Sequence, residues 1–148
     1  MDRFLSNAIN KVDMKGRVSV PAHFRAVVSR RGYQEFYALR ALDVPAMDMG
    51  GLDLLDRYEA RIAEEDPFLR RADDMSHFVH GDSVFLKMDS EGRIPVTDFV
   101  RETTGVDADV AFVGRGTFFQ IWAPDRLAVH TEAVRARLIA LRAQGAEA

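Results

Sequence analysis

A short alternation of polar and apolar residues behind a tight turn is the clearest pattern in the chain. From Arg17 to Val20 the two kinds of residue alternate, so Val18 and Val20 are expected to point into a core and the residues between them outward. Residues 8–12 predict a strand before the turn. The tetrapeptide Asp-Met-Lys-Gly at 13–16 is typical of the turn itself, because aspartate can hydrogen-bond the turn backbone and glycine readily adopts a positive φ. The pattern predicts a strand, a tight turn and a second strand.

A helix and a further strand are predicted to follow. Pro21 suits the first turn of a helix, and Gly32 suits its end. Three apolar residues between them fall on one side of that helix, namely Phe24, Val27 and Val28. Residues 35–39, Glu-Phe-Tyr-Ala-Leu, are rich in apolar and aromatic side chains and form the next candidate strand.

The same unit occurs twice. Residues 11–20 align without a gap with residues 87–96, and the register continues to Arg25 over Arg101. Lysine, aspartate, glycine, arginine and valine recur at corresponding positions. The second copy is predicted to contain a strand at 83–88, a turn at 89–92, a strand at 93–96 and a helix from about 97 to 105. Two tandem copies predict a mixed α/β fold with pseudo-twofold symmetry.

The segments outside the two copies predict helices and one hairpin. Helical spacing of apolar side chains is seen at Leu52, Leu55, Tyr58 and Ile62. Asp66-Pro67 has the form of an N-cap followed by proline, which predicts that a second linker helix starts there. That helix would carry Phe68, Leu69, Met75 and Phe78. Residues 110–113 and 117–122 predict a β-hairpin around Gly-Arg-Gly at 114–116.

A final helix is predicted to open near Pro124. Its apolar residues Leu127, Val134, Leu138 and Leu141 form a heptad-like stripe. Such a stripe can pack on the body of the protein or on a neighbouring subunit, and the tail after Gln144 is expected to be frayed. These features divide the chain into a first repeat at 1–50, a helical linker at 51–80, a second repeat at 81–124 and a C-terminal helix at 125–148.

The distribution of charge changes this picture. The 148 residues carry a net charge of −3, but residues 1–40 contain eight basic and three acidic side chains, a net of +5, and the remainder has a net of −8. A basic N-terminal segment followed by an acidic remainder favours a protein with one face that attracts phosphate. No apolar run is long enough to span a bilayer and no secretory signal is seen, so we expect a cytoplasmic protein without a membrane partner. The absence of cysteine excludes disulfides, thiolate zinc sites and cysteine nucleophiles.

Asp-x-x-x-Arg is the motif in which the two copies agree best. In each copy the aspartate and the arginine are expected at opposite mouths of the turn, where the carboxylate can hold both the turn amides and the guanidinium. The pairs are Asp13 with Arg17 and Asp89 with Arg93. An arginine held in this way keeps donors facing outward, and it is suited to bidentate contact with phosphate or with the edge of guanine. One such motif alone is typical of an ordinary exposed turn, whereas two in the same setting favour a function.

The two motifs and their surroundings resemble the MraZ family of bacterial transcriptional regulators, which belongs to the AbrB-like swapped-hairpin class. The resemblance covers nearly the whole chain and rests on residues 13–25 and 89–101. It implies two half-barrels made of swapped hairpins with interleaved helices. It further implies a regulator, not an enzyme, that binds direct repeats of double-stranded DNA in the promoter of its own operon, the division and cell wall cluster. Ring-shaped homo-oligomers and a nucleoid-associated location in the cytoplasm are implied as well.

The resemblance and the charge pattern together give a set of candidate residues. The candidates for DNA contact are Lys15, Gly16, Arg17, Arg93, Arg3 and Lys11. Asp13, Asp89 and Gly92 are expected to have structural roles in the turns. No catalytic residue, metal ligand or cofactor is expected.

Three positions depart from the family pattern. Relatives usually have Phe-x-Gly near the start, where this chain has Phe-Leu-Ser at 4–6. Pro95 lies inside a strand of the second copy, where it is expected to face an edge or a bulge because it cannot donate a ladder hydrogen bond. Lys15 of the first turn is matched by Glu91 in the second, so the first turn is the stronger candidate for phosphate contact.

Other interpretations of the sequence stay open. The main alternative is a ring-forming scaffold or protein-binding module that does not bind DNA. A metal site or hydrolase at His77, His80 and Asp82 is disfavoured because no third nitrogen ligand is evident. Residues 114–117 lack the lysine of a phosphate-binding loop, and Arg115 is kept as an extra candidate for phosphate contact. Four aromatic residues, Phe112, Phe118, Phe119 and Trp122, are expected in the core rather than on a base-stacking surface.

Overall fold

The computed structural model describes residues 2–145 and has eight strands and five helices in that range. The strands are β1 (Asn7–Lys11), β2 (Arg17–Ser19), β3 (Glu35–Arg40), β4 (Ala46–Gly50), β5 (Ser83–Lys87), β6 (Arg93–Pro95), β7 (Asp109–Gly114) and β8 (Phe119–Trp122). The helices are α1 (Ala22–Arg31), α2 (Leu52–Ala63), α3 (Arg70–Gly81), α4 (Asp98–Thr104) and α5 (Pro124–Ala143). The expected mixed α/β fold is confirmed. Residues 146–148, expected at the frayed end of the last helix, lie outside the described residues.

Strands of the two copies are exchanged. Six strands form one antiparallel sheet in the order β1-β7-β8-β4-β3-β5, and β2 pairs with β6 in a separate two-stranded ribbon. In the sheet, β1 of the first copy lies against β7 of the second, and β5 of the second lies against β3 of the first. Each copy therefore completes the other, as a swapped hairpin requires. The sheet stays open and does not close into a barrel.

The main core lies between one face of the sheet and a layer made of the ribbon, α1 and α4. The ribbon contributes Val18 and Ile94, α1 contributes Phe24, and α4 contributes Val100, each at most 1% exposed. Strand alternation supplies the sheet side of this core, because β3 and β8 direct every second residue toward it. The expected inward orientation of Val18 is confirmed.

The other face of the sheet is covered by the remaining helices. Helices α2 and α3 pack over Tyr37 and Leu39 of β3. The first half of α5 brings Leu127 against Trp122. The ribbon and the helices α2, α3 and α5 therefore lie on opposite sides of the molecule.

The residues at the helix ends explain where α1 and α4, the two helices that follow the ribbon strands, begin and end. Helix α1 starts after Pro21 and ends at Gly32, which has a φ of 75°. Helix α4 starts after Thr97, whose hydroxyl accepts a hydrogen bond from the N–H of Val100 at 3.3 Å, and it ends at Gly105. The predicted helix limits are confirmed at both ends in both copies.

Two sequence-based predictions were wrong. Asp66-Pro67 does not start α3, because the Asp66 carboxylate accepts from the N–H of Phe68 and the Asp66 carbonyl from that of Leu69, which closes a turn. The helix begins four residues later, at Arg70. The predicted hairpin strand at 117–122 is also shorter than expected, since β8 begins only at Phe119. The strand β4 was not predicted at all.

Candidate nucleic-acid interface

The two-stranded ribbon presents both Asp-x-x-x-Arg motifs on one exposed face. Its cross-strand pairs are Arg17 with Pro95, Val18 with Ile94, and Ser19 with Arg93. The central pair is buried, so the outer four residues face away from the core. Pro95 lies in a strand that pairs on one side only within residues 2–145, as expected for a residue without an N–H.

Each turn is closed by its aspartate and docked on the strand of the other copy. In the first turn, one oxygen of Asp13 accepts from the N–H groups of Lys15 and Arg17, both at 2.9 Å, and the other accepts from Arg17 Nε at 3.1 Å. The carbonyl of Gly16 then accepts from the N–H of Val96 at 2.8 Å. The Asp13 carboxylate therefore holds two turn amides and the guanidinium of Arg17.

The second turn repeats this arrangement. One oxygen of Asp89 accepts from the N–H groups of Glu91 and Arg93, both at 2.9 Å, and the other accepts from Arg93 Nε at 2.9 Å. The carbonyl of Gly92 accepts from the N–H of Val20 at 2.9 Å. Both turn glycines adopt the left-handed conformation, with φ values of 79° and 80°.

Hydrogen bonds within the turns favour ionised aspartates. The pKa of Asp13 lies below 3.8, its ordinary value, mainly because the backbone N–H of Arg17 hydrogen-bonds the carboxylate. The pKa of Asp89 is lowered in the same way by the N–H of Arg93. Because the folded-state pKa is the lower one, the contribution of these carboxylates to stability is present above 3.8 and is lost as the pH falls through the lowered pKa.

This geometry orients two guanidinium groups toward solvent. Asp13 and Asp89 engage Nε of Arg17 and of Arg93. This leaves both terminal Nη groups of Arg17 as outward donors, whereas Nη2 of Arg93 also pairs with Glu91. Diagonal neighbours on a ribbon lie about 7 Å apart, so the two arginines are close together on the same face. The major groove of DNA is about 12 Å wide and admits a two-stranded ribbon. The arrangement can therefore contact phosphates or base edges.

The other basic candidates lie apart from the ribbon face. Lys11 is opposite Asp109 on the sheet, and strand alternation places it on the face away from Asn10, whose amide donates to the Ser19 carbonyl. Arg3 pairs with Asp2 at 3.7 Å near the far end of β1. The structure thus brings Lys15, Gly16, Arg17 and Arg93 together and leaves Lys11 and Arg3 outside that group.

The alternative sites have ordinary structural explanations. His80 Nε2 lies 2.8 Å from a carboxylate oxygen of Glu59, and no group of three metal-ligating side chains occurs among residues 2–145. Arg115 lies over the ring of Phe118, 5.4 Å from its centroid. The expected core position of the aromatic residues is confirmed for Phe112, Phe119 and Trp122, each at most 1% exposed, while Phe118 packs partly buried on α2 and α3.

Two arginines make specific contacts that the sequence did not predict. Arg31 donates to the carbonyl of Thr117 at 2.7 Å and pairs with Asp2 and Asp53, which ties the chain start to α2. Arg25 donates to the carbonyl of Val20 at 2.8 Å and packs against the second turn. The only sequence signal for Arg25 is its alignment with Arg101.

Comparison with known proteins gives a consistent set of relatives. The chain is 54% identical to the transcriptional regulator MraZ of Rhizobium rhizogenes over 125 residues, which cover 84% of this chain and 86% of the relative. It is 52% identical to the transcriptional regulator MraZ of Rhizobium meliloti over 86% of this chain and 88% of the relative. The identity to the protein of that name from Beijerinckia indica is 42%, over 97% of this chain and 88% of the relative. No protein-family model matches the chain. In the part of the chain that the structure describes, none of the helices has the length and apolar character of a membrane span.

Proposed function

The chain belongs to the MraZ family of transcriptional regulators, and we propose that it acts by binding double-stranded DNA in a sequence-specific manner through the ribbon face. The observation that carries this proposal is the pair of guanidinium groups, each fixed by an aspartate, on one exposed face of a two-stranded ribbon. Such a ribbon has the shape and the donors needed to read the major groove.

The first turn is the principal contact in this proposal. Lys15 is exposed and Arg17 is partly exposed, and together they outnumber the single carboxylate of Asp13. Apart from chain neighbours, no heavy atom of the described residues lies within 4 Å of the position that a Cβ on Gly16 would occupy. A phosphate can therefore approach the turn backbone closely. Asp13, Asp89 and Gly92 hold the turns in shape, and Arg93 is the contact from the second turn.

Charge on the opposite side of the molecule favours the same orientation. Residues 52–81, which form α2, α3 and the turn between them, contain eight acidic residues and four arginines. These helices cover the sheet face that is remote from the ribbon. DNA is therefore repelled from the helical side, which favours its approach to the ribbon side.

Family membership supports the biological setting that we propose. The target is a set of direct repeats in the promoter of the protein's own operon, the division and cell wall cluster, and the protein is cytoplasmic and associated with the nucleoid. A ring-shaped homo-oligomer would place several ribbon faces on successive repeats and raise the avidity. The division into two repeats, a helical linker and a C-terminal helix is kept as part of this proposal.

The test is a footprint of the protein on the DNA upstream of its own coding region, combined with binding titrations over a series of salt concentrations. We expect protection of repeated short sequences and a linear fall of log affinity with log salt concentration. Lys15→Gln should make that slope shallower by about 0.9 for each phosphate that the side chain no longer neutralises, whereas Arg57→Gln on the exposed side of α2 should leave it unchanged. Equal slopes for the two variants would place the DNA face elsewhere.

A scaffold that does not bind DNA is the second candidate. It is favoured by the second half of α5, where Leu138 and Ile139 are 50% and 56% exposed. Apolar contacts of this kind depend weakly on salt, so a scaffold would show no footprint and no steep salt dependence.

A further inference from the structure

The two turns share their backbone geometry but differ in what surrounds the arginine. Glu91 places a carboxylate oxygen 2.6 Å from Nη2 of Arg93, in addition to the contact between Asp89 and Nε. Arg17 pairs with Asp13 and, within residues 2–145, with no second carboxylate. The residue that corresponds to Glu91 in the first turn is Lys15, which carries the opposite charge. Arg93 is therefore held on two sides and Arg17 on one.

The second turn is also supported from behind by a residue of the first copy. The stem of Arg25 packs so closely on Gly92 that a Cβ there would overlap Arg25 Cδ. The corresponding residue Arg101 instead donates to the carbonyl of Asp107 at 2.9 Å, and the space around Gly16 is open. Only the second turn is fixed from both sides.

The charged side chains of the second turn have a net charge opposite to that of the first turn. Two carboxylates and one guanidinium give its charged side chains a net of −1, whereas two cations and one carboxylate give those of the first turn a net of +1. The pKa of Arg93 is raised, first by the hydrogen bond with Asp89 and further by the charges of Asp89, Glu91 and Asp13. Arg93 is thus a cation whose nearby counterions are provided by the protein.

We propose that Glu91 is a specificity-determining residue, which occupies Arg93 and thereby suppresses sequence-independent attraction of the second turn to phosphate. This inference rests on the proposed function. Non-specific binding comes almost entirely from the neutralisation of phosphates by lysine and arginine. A phosphate that approaches Arg93 must compete with the Glu91 carboxylate and is repelled by it. Contacts of the first turn with the correct sequence then make up a larger share of the total binding free energy.

The experiment compares two duplexes of equal length, the upstream DNA of the protein's own gene and a scrambled version, at several salt concentrations. Glu91→Gln keeps the side-chain size and removes the charge. We expect it to bind the scrambled duplex about tenfold more tightly and with a steeper salt slope, by about 0.9 for each further phosphate that is neutralised. The ratio of the two affinities should fall. Glu132→Gln on α5 makes the same change of charge on the other side of the molecule and should keep the wild-type ratio.

Comparing the double variant Glu91→Gln/Arg93→Ala with Arg93→Ala separates release of Arg93 from a general change of charge, because the two proteins differ only in the charge of residue 91. We expect them to bind scrambled DNA equally, because the tighter binding of Glu91→Gln passes through Arg93. Tighter binding by the double variant than by Arg93→Ala, an unchanged ratio in Glu91→Gln, or weaker binding by Glu91→Gln would each overturn the inference. Failure of the proposed function looks different, since the wild-type protein would then not distinguish the two duplexes, and the inference would fall with it.

Discussion

Arg17 is ordered before any ligand arrives. A free arginine side chain carries about 2 kcal/mol of rotamer entropy, part of which is lost when its guanidinium is fixed. The 3.1 Å contact between Arg17 Nε and Asp13 fixes the group during folding, so less of this cost falls on binding. The carboxylate that reduces the positive charge of the turn is therefore also what prepares the arginine for bidentate contact.

Ser6 is a second residue whose conformation has a measurable consequence. Its φ is 71°, and among residues 2–145 no other residue except glycine has a positive φ. A left-handed conformation costs a residue with a side chain about 1–2 kcal/mol. Substitution by glycine removes this cost, but glycine also increases the conformational entropy of the unfolded chain, which offsets part of the gain in stability. A glycine at this position would remove this strain.

We therefore expect Ser6→Gly to stabilise the protein by about 0.5–1 kcal/mol, which corresponds to about 2 °C in Tm for a chain of this size. Thermal unfolding monitored by circular dichroism checks this, with Ser29→Gly inside α1 as the control, which should be destabilising. A lower Tm for Ser6→Gly than for the wild type would show that the Ser6 side chain makes a contribution that outweighs the strain.

At the scale of the elements, β4 is the strand whose existence follows from the internal repeat. The sheet order is symmetric, so β4 is the counterpart of β8, just as β3 is the counterpart of β7. Pro45 before it and two glycines at its end are typical of a loop, and Asp48 interrupts its apolar pattern. The strand forms because Asp48 is compensated, with its carboxylate accepting from Gln120 at 2.7 Å while Gln120 accepts from Trp122 at 3.0 Å.

Asp48 contributes to stability with the opposite sign to the turn aspartates. Burial raises its pKa above 3.8, because desolvation disfavours the charged form. A raised folded-state pKa means that the ionised group is less stable in the folded protein, so stability is lost as the pH rises through that value. Asp48→Asn keeps an acceptor for Gln120 and removes the charge.

We expect Asp48→Asn to raise Tm at pH 7 and the difference from the wild type to shrink as the pH approaches 3.8. Asp43→Asn in the exposed loop before β4 is the matched control and should show no such trend. Thermal melts of the three proteins between neutral and acidic pH provide the comparison. A drop in Tm for Asp48→Asn at pH 7 would mean that the carboxylate is stabilised by more than its hydrogen bond with Gln120.

The ribbon and the turns could be predicted from the sequence because the residue patterns that indicate them are local. Asp13, Gly16 and the alternation around Val18 act within a few residues, and the repeat doubled each signal. The exchange of strands between copies, the strand β4 and the contact of Arg25 with Gly92 depend on residues far apart in the chain, which periodicity does not report. At Asp66 a local signal was present but ambiguous, because the same aspartate-proline pair closes a turn or caps a helix.

At the scale of the whole molecule, the protein has a ribbon face with one basic turn, one acidic helical face and a projecting helix. The second half of α5, from residue 135 onward in the described chain, is exposed on all sides, and Leu138, Ile139 and Leu141 are 42–56% exposed. An apolar strip of this kind is typical of a surface that contacts another protein. It is the part of the molecule that a homo-oligomer is expected to bury.

We expect light scattering to give a mass several times the 16.6 kDa of the single chain. Leu138→Glu should lower that mass, while Arg137→Gln, which changes the charge by the same amount at a neighbouring exposed position, should not.

In the oligomer, inserting about 5 base pairs between operator repeats should weaken binding far more than inserting about 10, because half a helical turn puts the repeats on opposite faces of the duplex. A monomeric mass, or indifference to the spacing, would contradict the ring.

The most direct test of the central claim is the affinity of Arg17→Ala for the upstream and the scrambled duplexes, measured beside Arg57→Ala and the wild type. Both variants remove one arginine charge, but Arg57 lies on α2, on the side away from the ribbon. We predict that Arg17→Ala loses about 1–3 kcal/mol of sequence discrimination at each site, multiplied over the subunits of an oligomer, with an unchanged thermal melt. Arg57→Ala should bind like the wild type. Normal discrimination by a well-folded Arg17→Ala protein would contradict the assignment of the ribbon as the DNA-binding surface.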